Sequence, residues 1–190
     1  MQKIMFNDRY HHTNAVIEGR KTRATQIMAG IDFPVNMVMG RVLPDKDGKI
    51  YAVANGENII VKLRYKVGEV VAVAQCYNDV VREFTDLAFV PGSTNKMFVR
   101  ADLMPHQIRI IGIRCERLRD ISDEECIKEG VYAGSQALEY PYYFIDTKQF
   151  LICDYKSPRE AFAALIDKVS GRGTWDRNPW VVVYEFELVK

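Results

Sequence analysis

The chain has 190 residues, of which 48% are hydrophobic, so it is long enough to bury the core of one domain. Its 26 Lys and Arg residues nearly balance 25 Asp and Glu residues, for a formal net charge of +1. A chain this close to neutrality has no overall attraction for nucleic acid, so any such binding would depend on a local basic patch.

The cysteine pattern and the lack of long apolar runs indicate in which cellular compartment the protein is expected. The four cysteines show no CxxC or CxH spacing, and we expect free thiols in a reduced cytosol. No apolar run reaches the roughly 20 residues of a membrane span, and the N-terminus lacks the apolar core of a signal peptide. We therefore predict a soluble, cytoplasmic protein without membrane contact, whose oligomeric state the sequence leaves open.

The N-terminal part predicts a strand, a helix and a β-meander, in that order. Residues 2–6 predict a strand, and Asn7 or Asp8 can cap a helix that continues to Glu18 and stops at Gly19. Four short β-rich runs, separated by turn residues, predict the next strands at 38–43, 50–54, 59–64 and 70–76. Turns are predicted at Asp47-Gly48 and Asn55-Gly56. Such a meander is typical of a small barrel.

The C-terminal part predicts two strands and two capped helices. The strands cover 108–118 and 179–188, and the helices cover 120–129 and 158–170. The second helix begins with a capping-box pattern, Ser157-Pro158-Arg159-Glu160, that has proline at the first helical position.

Two stretches, near 78–97 and 132–156, are predicted as insertions into a single domain that spans 1–190. The second holds an aromatic run, 140–144, which either pairs strands in the core or forms a flap over the site.

The segment 116–130 carries the clearest local signal. A run that alternates apolar and basic side chains leads into Ser122 and Glu125, which have the spacing of a capping box, and Gly130 supplies a helix stop. Together with 17–22 (IEGRKT) and 175–187 (WDRNPWVVVYEFE), in this order, the segment resembles the ASCH family of the PUA-like superfamily, most closely the ASCH-like proteins of phages and prophages.

The resemblance implies an α+β fold, a small, mixed and mainly antiparallel PUA-like β-barrel flanked by helices. It also implies a cleft where the GRKT-type motif meets the helix after the long strand, and the matching residues are Lys21, Thr22 and Glu129. The ligand implied for such a module is RNA or a modified nucleoside.

A second implication of the resemblance is enzymatic. Some small bacterial ASCH proteins are amidohydrolases that deacetylate acetylcytidine with a Lys, a Thr three residues later and a Glu on the later helix. Lys21 and Glu129 match that pattern, but Ala24 occupies the threonine position. A catalytic set of Lys21, Thr25 and Glu129 therefore requires a shift of one residue, because a methyl group is not a nucleophile.

A lysine that faces a carboxylate in a cleft has two interpretations. Burial and the neighbouring charge can adjust either group for acid or base work near neutral pH. The same pair can also be a structural ion pair without catalysis.

Nucleic-acid contact has its own candidates. They share a basic, polar or aromatic side chain near the family motifs: Arg20, Lys21, Thr22, Arg23, Arg117, Arg119 and Trp175. Strand alternation places Arg109, Arg117 and Arg119 on one face and Arg114 on the other. Such a face with an exposed Trp175 suits phosphate contact and base stacking, whereas Trp180 is expected to anchor the core. The alternative is a solvated face balanced by acidic neighbours.

Other chemistries lack support in the sequence. His11, His12 and His106 do not have the spacing of a zinc site, so we predict no metal, and we expect no cofactor. We find no glycine-rich phosphate loop, GxSxG or HExxH.

Three functions therefore stand. The first is an RNA-binding or modified-nucleoside-binding module. The second is a hydrolase, either a nucleoside amidohydrolase or a ribonuclease. The third is a protein-interaction module of a mobile element, which the near-zero net charge favours.

Overall fold

The computed structural model describes residues 1–28, 39–44, 50–54, 57–60, 63–80, 90–134, 143–145 and 152–189. The strands are β1 (Lys3–Ile4), β2 (Arg23–Ile27), β3 (Met39–Pro44), β4 (Ile50–Ala54), β5 (Glu57–Ile60), β6 (Val70–Val73), β7 (Gln107–Arg117), β8 (Tyr132–Ala133), β9 (Tyr143–Ile145), β10 (Ile152–Tyr155) and β11 (Trp180–Leu188). The α-helices are α1 (His12–Ile17), α2 (Tyr77–Val80), α3 (Asp123–Lys128), α4 (Pro158–Ser170) and α5 (Thr174–Arg177).

A mainly antiparallel five-stranded sheet organises this α+β fold. Its strand order is β1-β6-β7-β11-β2, in which β1 and β6 are parallel and the other pairs are antiparallel. Two antiparallel three-stranded sheets, β3-β4-β5 and β10-β9-β8, accompany it. Within the described ranges, β2 pairs only with β11 and so forms an edge of the large sheet.

The two faces of β11 bury different cores. Val182, Tyr184 and Phe186 lie in one apolar cluster together with residues of β1, β6 and β7. Val181 and Val183 point to the opposite face, into a cluster built mainly from α3, α4 and their flanking turns. This alternation is the period of two expected for a strand buried on both faces.

The predicted first helix is in two pieces. Asn7 caps a 3-10 turn over Asp8–Tyr10, and α1 starts only after His11, which has φ +52. This left-handed residue interrupts the helix and redirects the chain into α1. Gly19 has φ +72 and ends the segment as predicted.

Both capped helices in the C-terminal part are confirmed. At α3, Ser122 accepts from the Glu125 N–H, and the Glu125 carboxylate accepts from the Ser122 N–H at 2.8 Å, which completes the capping box. At α4, Ser157 accepts from the Glu160 N–H, but the Glu160 carboxylate bonds the Lys156 N–H instead, so only half of the predicted box forms.

The predicted face of arginines on β7 is wrong. Gly112 pairs with Glu185 and Ile110 with Phe186, so Ile111 is an extra residue in a β-bulge. A bulge reverses the alternation, because cross-strand partners share a face. Arg109, opposite Glu187, therefore lies on the face of Arg114, opposite Val183, and Arg117 lies on the other face, opposite Trp180. Arg119 follows the strand, in a 3-10 turn over Leu118–Asp120.

Several predictions differ from the structure or fall outside it. The turns at 47–48 and 55–56 lie outside the described residues, as do 81–89, 135–142 and 146–151. Strand β2 was not predicted, β1 and β6 are shorter than expected, and β5 already includes Glu57 and Asn58. No helix in the described part of the chain is long and apolar enough to cross a membrane.

Candidate functional site

A cleft of about 370 Å³ runs along the edge strand β2. Its polar end contains His12, Lys21, Thr25 and Glu129, and the side chains of Phe162, Leu165, Ile166 and Val169 on α4 form an apolar wall. This size lies within the range of about 300–1,000 Å³ found for small-molecule sites. A few polar groups set in an apolar cleft are the usual composition of such a site.

Lys21, Thr25 and Glu129 meet at the polar end of the cleft. Lys21 Nζ donates to Glu129 Oε2 at 2.7 Å and also to the Glu129 backbone carbonyl. Thr25 Oγ1 donates to the other carboxylate oxygen, Oε1. Lys21 and Glu129 are only 3% and 5% exposed, so their pairing occurs almost without solvent screening.

Local structure explains why these groups converge. Lys21 lies two residues before the start of β2, and Thr25 lies on the β2 face that turns toward α3 and α4, opposite Val183. Ala24, opposite Tyr184, points to the other face. Glu129 is the C-cap residue of α3, and Gly130 at φ +104 ends the helix there.

The buried side chain of Arg23 forms an ion pair with Glu129. Its guanidinium is 1% exposed and contacts three carboxylates: Glu129 Oε1 at 3.3 Å, Glu125 Oε1 at 2.5 Å and Glu116. Arg114 bridges Glu116 and Glu125 from the outer side and also contacts Glu185. Lys21, Arg23 and Arg114 are therefore already matched by carboxylates of the protein.

The charges of this network alter one another. Burial lowers the pKa of the Lys21 ammonium, the Glu129 carboxylate opposes this, and Arg23 lowers it further. Burial alone would raise the pKa of the Glu125 carboxyl, but the Ser122 N–H together with Arg23 and Arg114 lowers it overall. Lys21 is thus easier to deprotonate than an exposed lysine, and Glu125 stays a carboxylate.

His12 lies beside this group with a neutral ring. Burial, followed by the charges of Lys21 and Lys96, lowers the pKa of His12 to about 2. The ring packs near Tyr10, with centroids 6.0 Å apart, and against Gly130. A Cβ atom at Gly130 would lie 3.3 Å from His12 Cδ2 and 3.6 Å from Lys21 Cδ, so only glycine leaves both side chains their present room.

The backbone of β2 also faces the cleft. The Met28 N–H donates to the Trp180 carbonyl at 3.1 Å, and the Phe186 N–H donates to the Thr22 carbonyl at 2.9 Å. Bonded pairs alternate along an antiparallel ladder, so residues 23, 25 and 27 direct their N–H and C=O groups away from β11. No described strand pairs with that edge, and the Thr25 N–H therefore lies on the cleft side of β2.

The other candidates of the N-terminal motif lie outside the lining of the cleft. Arg20 pairs with Glu18 at 2.6 Å and stacks over the Tyr132 ring at 4.1 Å. Thr22 uses its backbone N–H to bond the Lys128 carbonyl at 3.1 Å, which ties β2 to α3. Their contribution to the site is thus to hold its elements together.

The candidates from the C-terminal part also lie elsewhere. Arg117 stacks over the Trp180 ring at 4.5 Å, and the Arg119 N–H donates to Asn178 Oδ1 at 2.8 Å. Trp175 packs edge-on against Phe162, and Trp180 is buried, as expected for a core anchor. The described residues do not bring these groups together with Lys21.

Sequence reasoning missed two parts of the site. His12 was considered only as a metal ligand, and Arg23 only as a surface contact for nucleic acid. The apolar positions of α4 did predict its buried face, but no local pattern indicates that the face also borders a cleft.

Comparison of the chain with protein-family models, with curated proteins and with solved structures found no match. The resemblance to the ASCH family therefore rests on the three sequence segments alone, and the site has to be interpreted from its own geometry.

Proposed function

We propose that the cleft binds a modified nucleoside and that Thr25, Glu129 and Lys21 hydrolyse its acyl amide, as in an acetylcytidine amidohydrolase. The observation that carries the proposal is the shared carboxylate, since Glu129 binds Lys21 with one oxygen and the Thr25 hydroxyl with the other. A nucleophile, a base and a group that orients the base are the arrangement that activates a hydroxyl.

In the first half of the reaction, Thr25 Oγ1 attacks the acyl carbonyl carbon while its proton passes to Glu129. The tetrahedral intermediate collapses, the C–N bond breaks, and the leaving nitrogen accepts from Glu129 the proton that Thr25 had given up. Two N–H groups of Lys21 hold Glu129. The third, with the Thr25 backbone N–H on the open edge of β2, stabilises the negative charge that develops on the carbonyl oxygen.

In the second half, water attacks the acyl-Thr25 ester and gives its proton to Glu129. The ester C–O bond breaks, Thr25 Oγ1 recovers the proton, and the carboxylic acid leaves. Atoms and protons balance without a metal or an oxidant. Glu129 accepts and returns a proton in each half, so its carboxylate has to stay within hydrogen-bond distance of Thr25. The ion pairs with Arg23 and Lys21 hold it there.

The charges around the cleft favour an uncharged ligand. Lys21, Arg23 and Arg114 are matched by Glu116, Glu125 and Glu129, so these cations are not available to a phosphate. Arg64 also lines the cleft, and among the described residues it has no carboxylate partner. The predicted RNA contacts Arg20 and Arg117 are engaged within the protein. This supports a free nucleoside over an RNA strand.

We also propose that the fold is the PUA-like barrel of the ASCH family. The mainly antiparallel sheet, the short helices and the meeting of Lys21 with Glu129 at one cleft are consistent with it. An experimental structure in which the described sheets close into a barrel would establish this finer assignment.

The direct test is hydrolysis of acetylcytidine by the purified protein, with cytidine and acetate quantified. Thr25→Ala removes the nucleophile, and Glu129→Gln removes the base, so each should lower kcat by at least about 100-fold. Thr25→Ser, which keeps a hydroxyl, should retain measurable activity. Thr94→Ala removes an exposed threonine outside the cleft and serves as the matched control.

Two results would reject the proposal. One is a wild-type protein that does not release cytidine, and the other is a Thr25→Ala variant that turns over as fast as wild type. If labelled single-stranded RNA binds instead and Lys21→Glu abolishes that binding, the RNA-binding hypothesis takes its place.

A further inference from the structure

His12 is a polar ring in the cleft that the hydrolytic mechanism does not use. It lines the same cleft as Lys21, Thr25 and Glu129. Within the described ranges, no side chain or backbone group hydrogen-bonds either of its ring nitrogens. An imidazole nitrogen that no protein group occupies is available to hydrogen-bond a ligand or water in the cleft.

Neighbouring groups restrict the positions that the His12 ring can take. His12 is the first residue of α1, directly after the left-handed His11, and its ring lies between Tyr10 and Gly130. Nε2 is 3.5 Å and Cδ2 is 3.3 Å from the position that a Gly130 Cβ would occupy. A ring held in this way can select a ligand, since little rotamer freedom is lost on binding.

We propose that His12 is a substrate-binding residue that hydrogen-bonds the acyl amide or the base edge of the nucleoside. A neutral imidazole presents one N–H donor and one acceptor nitrogen. The two ring nitrogens point in different directions, so one of them meets the ligand and either donates to the acyl carbonyl oxygen or accepts from the amide N–H. The inference rests on the proposed function, because it assigns His12 to the ligand that Thr25 attacks.

The test is equilibrium binding of acetylcytidine by calorimetry, in a Thr25→Ala background that leaves the ligand intact. Adding His12→Phe keeps a ring but removes both nitrogens, and we expect about 10-fold weaker binding. Adding His12→Gln keeps a donor and an acceptor and should restore most of the affinity. His106→Gln is the matched control, because His106 lies outside the lining of this cleft.

A second measurement needs no substitution. The ring nitrogens of His12 in the ¹⁵N-labelled wild-type protein should change chemical shift when cytidine, the product, is added. This detects the contact even if His12→Phe fails to fold.

The outcomes separate the two proposals. If His12→Phe binds acetylcytidine like its parent and the His12 resonances do not move, the role of His12 is rejected, while hydrolysis by Thr25 is untouched. If the wild type does not hydrolyse acetylcytidine but binding depends on His12, the hydrolase proposal fails and the His12 contact stands. If neither binding nor hydrolysis is found, both are rejected.

Discussion

Arg23 is the least exposed charged residue at the site, and its guanidinium is the common partner of three carboxylates. A buried cation of this kind contributes less by its own attraction than by preventing three negative charges from being left unpaired. It holds Glu129 on the side opposite Lys21, so the carboxylate cannot turn away from Thr25.

We expect Arg23→Met to lower the free energy of unfolding by about 3–5 kcal/mol, the usual cost of removing one partner from a buried ion pair. Urea denaturation at pH 7 measures the loss. Arg20→Met is the control, because the partly exposed Arg20–Glu18 pair should contribute no more than about 1 kcal/mol. Equal losses for both variants would show that Arg23 does not hold the network together.

The pKa of His12 gives a second test at this scale. Its pKa is about 2 in the native protein against 6.5 in a model peptide, so only the unfolded chain takes up a proton between these values. Stability from this residue is therefore complete above pH 6.5 and is lost as the pH falls below it. Lys21 and Lys96 are the cations that help keep the native ring neutral.

When the pH falls from 6.5 to 5, we expect the unfolding free energy of the wild type to decrease by about 1–2 kcal/mol more than that of His12→Gln. Glutamine does not titrate, so this difference isolates His12 from the other groups. Urea denaturation of both proteins across this pH range measures it. Parallel curves would mean that the native ring takes up a proton like an exposed histidine.

At the scale of elements, the orientation of β2 decides which hydroxyl can act. Residue 25 faces α3 and Glu129, whereas residue 24 faces the opposite side of the sheet, toward Tyr184. A strand moves its side chains from one face to the other with each residue. The threonine expected at position 24 would therefore not reach Glu129 in this register.

We expect the exchange variant Ala24→Thr/Thr25→Ala to be as inactive toward acetylcytidine as Thr25→Ala alone, because its hydroxyl points away from the carboxylate. The hydrolysis assay measures this, and circular dichroism checks that the fold is kept. Activity restored by the exchange would mean that β2 can shift by one residue along β11.

Helices α3 and α4 could be predicted because their signals are local. Ser122 with Glu125 and Ser157 with Glu160 are each three residues apart, and both helices form where these patterns place them. Strand β2 could not be predicted from the sequence. Its five residues, 23–27 (RATQI), alternate too little between apolar and polar side chains to indicate a strand.

The composition of the site depends on contacts across the whole chain. Thr25 and Glu129 are separated by 104 positions, and their contact depends on the register between β2 and β11. The resemblance supplied Lys21 and Glu129, but only the register distinguishes Thr25 from Ala24. The bulge at Ile111 is likewise a pairing property, and it reverses the face of Arg109.

For the whole molecule, the near balance of charge and the pairing of Lys21 and Arg23 with carboxylates predict that ligand binding depends weakly on salt. We expect the affinity of the Thr25→Ala protein for acetylcytidine to change by less than about 2-fold between about 50 and 200 mM salt, since no phosphate is neutralised. Calorimetry at both salt concentrations measures this. A steep loss of affinity at the higher salt concentration would indicate that Lys or Arg side chains neutralise charges of the ligand, and it would favour RNA as the ligand.

The central claim is that Thr25 carries the acyl group during turnover. Trypsin releases residues 24–41 as one peptide, in which Thr25 is the only hydroxyl residue and no lysine is present. We expect rapid acid quenching during turnover, followed by mass spectrometry, to find this peptide heavier by one acetyl group. Turnover of acetylcytidine with this peptide unmodified at every time point, including those shorter than one catalytic cycle, would contradict the claim.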